Sequence, residues 1–137
     1  MAMPQSELAI RDYLRTVPSI LALVGNDARK IDADYSGGKD ATHMTMFRAG
    51  GAPSQWVPLD DCVMIYMCWG RGRGAALALA TELADTLRRT REVALNRDAW
   101  LRGSTVQAIN WTPDVDGQPR YSVTAISTVS ARESALL

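Results

Sequence analysis

The chain has 137 residues, 47% of them hydrophobic and 22% charged, and its fifteen basic and fifteen acidic side chains cancel. That length is one domain, able to bury roughly two thirds of its unfolded surface without a disulfide or metal staple. A formal charge of zero argues against a general coat for DNA or an anionic membrane and leaves only local patches for such contacts.

In chain order, Ser6 is placed to cap a first helix that puts Ile10, Tyr13, Leu14 and Val17 on one stripe and turns Arg11, Asp12 and Arg15 away from it. Pro18 cannot continue that helix but can begin another. "PSILALVGN" reads as a short second helix or turn stopped by Gly25–Asn26. "RKIDADY" alternates weakly, as a short strand would, and "SGGKDA" closes it. "HMTMFRAGG" alternates again, with Met44 and Met46 on one face and His43, Thr45 and Phe47 on the other, and ends at Gly50–Gly51. "APSQWVPLDD" has no period and reads as an ordered excursion from the sheet.

"CVMIYMCW" (62–69) is apolar on both faces, which fits a central strand with both faces covered, or one face against a partner subunit. The following segment places Ala76, Leu79, Ala80, Leu83 and Leu87 on one helical stripe, with arginines crowding its last turns, where positive charge suits the helix dipole. "STVQAINWT" and "RYSVTAISTV" are strands joined by "PDVDGQP", with Asp116–Gly117 at the tip of the hairpin. The tail "SARESALL" is expected to fray. Grouped rather than alternating elements predict a single α+β domain over 1–137. Its sheet is mixed but largely antiparallel, of about five strands, with the N-terminal helix and one long helix packed on one face.

Chemistry-bearing motifs are sparse. Gly70, Gly72 and Ala75 fit G-x-G-x-x-A between a strand and a helix, and Asp98 lies about where a ribose-binding acid would. Only 39 residues follow Asp98, and they read as a hairpin rather than the βα units that complete a dinucleotide crevice. A nucleotide-binding enzyme built on the Gly70–Gly72 turn is therefore the weaker alternative; the glycines more simply let the helix start close against the sheet. Cys62 and Cys68, six positions apart in one strand, lie roughly 20 Å from each other, beyond disulfide reach, and read as buried thiols. His43 is the only histidine, no Cys-x-x-Cys occurs, and neither a metal site nor a catalytic triad is visible. Asp60–Asp61 reads as a strand-entry turn, since adjacent carboxylates in a strand point oppositely. Trp69, Trp100 and Trp111 read as core or rim packing. The N-terminus lacks the basic-then-apolar pattern of a signal peptide, and no apolar run approaches the ~18–20 residues of a membrane span. These features predict no enzyme, no cofactor and no membrane partner.

"FRAGGAPSQWVPLDDCVMIYMCWGRGRGAALALATELADTLRR" resembles the tail terminator (tail completion, or minor tail) proteins of long-tailed bacteriophages. The match rests on the strand ending at Gly50–Gly51, the loop to Pro58–Asp60, the strand ending at Trp69–Gly70, and the Ala/Leu helix from Ala76 through Leu87. With the leading helices it covers about residues 5–130. The resemblance implies a hexameric ring that caps the tail tube, ends its polymerisation and offers a surface for head joining. It also implies assembly in the bacterial cytoplasm and a final place in the tail or neck of the virion. The implied partners are further copies of the chain, the tail tube protein and a head-completion or connector protein, with DNA only passing through the lumen. Head-completion (neck connector) proteins share this size and fold class and are the alternative. Candidate contact residues are Tyr35 and Lys39 in "DADYSGGKD", Arg48 and Trp56 around "GGAPSQW", Arg71 and Arg73 in the glycine turn, and Asp116 in the hairpin.

Overall fold

A computed structural model describes residues 5–35, 41–54 and 59–132. Helix α1 (Ser6–Leu14) is followed by α2 (Pro18–Leu23), a single 3-10 turn (Ala28–Lys30) and the short strand β1 (Ile31–Asp32). The long strands β2 (His43–Pro53) and β3 (Leu59–Trp69) lead into α3 (Arg73–Arg89). Then come the short β4 (Val93–Ala94) and the long pair β5 (Ala99–Trp111) and β6 (Arg120–Ala131).

One six-stranded sheet has the order β1-β2-β3-β6-β5-β4. Only β1 and β2 run parallel; every other neighbouring pair is antiparallel. The α+β class with a largely antiparallel sheet is therefore as expected, and β4 is the strand the pattern does not reveal. Two residues are too few to show a period.

Period decides which side of the sheet is core. Along β3 the even positions Cys62, Met64, Tyr66 and Cys68 are buried, together with Met44 and Met46 of β2 and Tyr121, Val123, Ala125 and Val129 of β6. Ile10 and Leu14 of α1, Ile20 of α2 and Ala76, Leu79, Ala80, Leu83 and Leu87 of α3 join the same cluster. All five residues of the expected α3 stripe are buried. The helices thus form one layer on one face.

Several boundaries differ from expectation for local reasons. Gln5, not Ser6, caps α1, because the Ser6 hydroxyl turns inward and donates to Asp60. That helix ends at Leu14, and Val17 becomes the extended residue before Pro18, which opens α2 as its first residue. Gly25 and Asn26 end α2 with φ of 72° and 58°, the left-handed geometry that stops a helix. Strand β2 continues past Gly50–Gly51 to Pro53, and a register shift between Arg48 and Gly50 lets it keep pairing with β3. Asp60 and Asp61 lie inside β3 rather than in an entry turn.

Candidate functional site

The glycine turn follows from close packing. The Gly70 N–H donates to the Pro119 carbonyl at 3.2 Å, and a Cβ at Gly70 would stand 2.4 Å from the backbone nitrogen of Ala76. Strand β3 must therefore be followed by a residue without a side chain for α3 to begin so near it. Arg73 is the first residue of α3 rather than part of the loop. Both neighbours of β3 are antiparallel, and α3 leads on to β4 at the far edge of the sheet. The parallel switch-point crevice that a dinucleotide uses is not built at this turn.

Two stacks of rings and guanidinium groups occupy this end of the sheet. On one side, Tyr35 lies 4.4 Å from His43, His43 stacks on Trp69 at 5.3 Å with the planes 10° apart, and Arg120 covers the Trp69 ring at 4.7 Å. On the other, Arg73 covers Trp111 at 4.7 Å while Trp111 lies 5.0 Å from Tyr121. The register explains the grouping: His43 and Trp69 are paired, Trp69 with Arg120, and Tyr121 with Trp111. Each arginine is also tied through Nε, Arg73 donating to the Tyr121 hydroxyl at 2.9 Å and Arg120 to the Thr112 carbonyl at 2.7 Å. His43 Nδ1 faces the Ala41 carbonyl at 2.7 Å. A carbonyl only accepts, so Nδ1 carries the proton, and burial holds the imidazole pKa below its ordinary value.

At the opposite end, Asp60 is the buried polar centre. Arg48 Nη2 donates to its Oδ1 at 2.6 Å and Arg48 Nη1 to its Oδ2, which also accepts from Ser6. The guanidinium hydrogen bonds hold the Asp60 pKa below the usual carboxylate range. Asp61 points the other way and accepts from the Thr128 hydroxyl at 2.7 Å. Burial pushes the Cys62 thiol up to about 11 and raises that of Cys68 as well. Both cysteines are free and buried.

Of the residues proposed from sequence, Tyr35, Arg71, Arg73 and Asp116 gather at the glycine-turn end, Asp116 through the hairpin that joins β5 to β6. Arg48 stands apart, engaged within the fold by Asp60. Lys39 and Trp56 lie outside the described residues. Sequence reasoning missed His43, Trp69, Trp111, Arg120 and Tyr121 as members of one rim. Their common position at strand ends was the available signal, but only the pairing brings them together.

The remaining surface of note is the other face of the sheet. Phe47, Val63, Ile65, Met67 and Ile126 lie there, Phe47 opposite Ile65 and Val63 opposite Ile126. None belongs to the hydrophobic cluster, and Phe47 is 44% exposed. Among the described residues, no group of His, Cys, Asp or Glu could hold a metal ion, and no helix is long and apolar enough to cross a membrane.

The architecture is that of a two-layer α+β protein with helices on one side of an antiparallel-rich sheet. No family model and no curated protein sequence matches the chain. Among solved structures, it is similar to a chain of the virion of a native gene transfer agent (GTA) particle. The TM-score is 0.61 at 19% sequence identity, over 92% of this chain and 94% of that one. The two chains share a fold along nearly their whole lengths.

Proposed function

We propose that this chain is a structural protein of a phage-like particle, a tail terminator whose ring caps the tail tube, stops its growth and offers a surface for head joining. The observation that carries the reading is the helix-free sheet face. Phe47, which is exposed, and the half-buried Val63, Ile65, Met67 and Ile126 form an apolar strip that no helix of the described residues covers, and exposed apolar strips mark interaction sites. The fold shared with a chain of a gene transfer agent virion and the resemblance of residues 5–130 to tail terminators support the particle setting.

In this reading the strip meets a neighbouring copy of the chain. A ring repeats one heterologous contact around an axis until it closes, leaving two chemically different ends. One end matches the growing tube, and the other fails to reproduce the tube's next-subunit contact, so growth stops. The role in this reading is one of shape, without catalysis or cofactor; Asp60 is engaged by Arg48 and Ser6, and the two thiols are buried.

Deleting the gene from the genome that encodes the chain and measuring tails by electron microscopy tests this. Overlong tails of variable length are expected. Tails of normal length lacking heads would transfer the protein to the neck, as a head-completion connector, and normal infectious particles would overturn the assignment.

A further inference from the structure

The rim at the glycine-turn end carries a second, chemically distinct surface. Arg73 and Arg120 each lie over a tryptophan ring and are fixed through Nε to an internal acceptor. A guanidinium bound through Nε still carries two Nη groups as donors, and Arg73 is exposed while Arg120 is half-buried. Ordering long side chains before contact removes much of the entropic cost that weakens exposed ion pairs. Planar forks of this kind match the two oxygens of a carboxylate or phosphate.

The charge around them chooses between these. A nucleic acid backbone calls for an unbroken basic stripe, whereas Asp114 and Asp116 stand in the hairpin beside Arg120. Arg120 and Tyr121, adjacent in β6, also point to opposite faces, so the two forks flank the sheet rather than follow one line. We infer that Arg73 and Arg120 form a docking rim for carboxylate side chains of a protein partner whose surface carries charge of both signs. This inference does not rest on the ring: it requires only the geometry of the rim.

The test uses the full chain, with capped hexaglutamate as probe, and follows the indole N–H signals of Trp69 and Trp111 by NMR. The expected result is saturable shifts of both signals at low-millimolar peptide. Arg73→Lys with Arg120→Lys keeps the charge but removes the fork, and should weaken binding at least about fivefold. Each single lysine variant should weaken it by less, so the comparison survives if the double variant folds poorly. Absence of indole shifts, lysine variants that bind as well as wild type, or tighter binding of a short DNA duplex at equal charge concentration would each overturn the inference.

Discussion

Asp60 and Asp61 are neighbours in sequence and opposites in environment. Alternation along β3 sends the first into the core and leaves the second in solvent, and only the buried one needs a guanidinium. Their opposite directions were legible from the strand rule. The Arg48 partnership was not, because it depends on the bulge after Arg48 and on how β2 registers against β3. Arg48→Met removes the cation and leaves Asp60, 2% exposed, with the Ser6 hydroxyl alone; breaking one side of a buried pair costs about 3–5 kcal/mol. Denaturant unfolding should show that loss, and a change below about 1 kcal/mol would mean that the pair acts as a surface bridge. His43 makes a pH prediction. Its folded pKa lies below the ordinary 6.5, so the unfolded chain binds the extra proton first. Stability should be full above pH 6.5 and fall as pH drops below it, toward the folded pKa. Because this is the only histidine, His43→Phe should flatten the profile between pH 7 and 5. An unchanged slope would assign the titration elsewhere.

At the scale of elements, legibility followed the regularity of the period. The α3 stripe could be read completely, because its 17 residues repeat one pattern without interruption. Strand β5 could be read only from Ser104, although it begins at Ala99. Register shifts between Leu101 and Gly103 and between Val106 and Ala108 each move the alternation by one residue, and a period-2 reading fails across such bulges. The three glycines of the turn look equivalent in sequence and are not equivalent in space. A Cβ at Gly70 would press on the backbone of Ala76, whereas Gly74, inside α3, has nothing within 4 Å. Gly70→Ala should therefore destabilise the fold by about 1–3 kcal/mol. Gly74→Ala should stabilise it by about 0.5–1 kcal/mol through helix propensity. Denaturant midpoints of the two variants should move in opposite directions; movement in the same direction would contradict the close approach of α3 to β3.

For the whole molecule, the sheet has helices on one side and an apolar strip on the other. The sequence announced that strip as a strand apolar on both faces and offered two explanations, a covered centre or a partner subunit. Among the described residues no helix covers it, so a neighbouring chain is the occupant in the proposed assembly. Which copy or partner meets the strip could not be read from residues 62–69, because period reports burial and not what does the burying. Methionine oxidation gives a direct reading. Met67 lies on the strip, while Met44, Met46 and Met64 are in the core. Hydroxyl-radical footprinting, with mass spectrometry of this chain, would compare dilute free protein with particles purified from cells that carry the gene. The account predicts that Met67 oxidises readily in the free chain and is protected in the particle, with the three core methionines protected in both. A chain absent from the particles, or a Met67 oxidised equally in both samples, would contradict it.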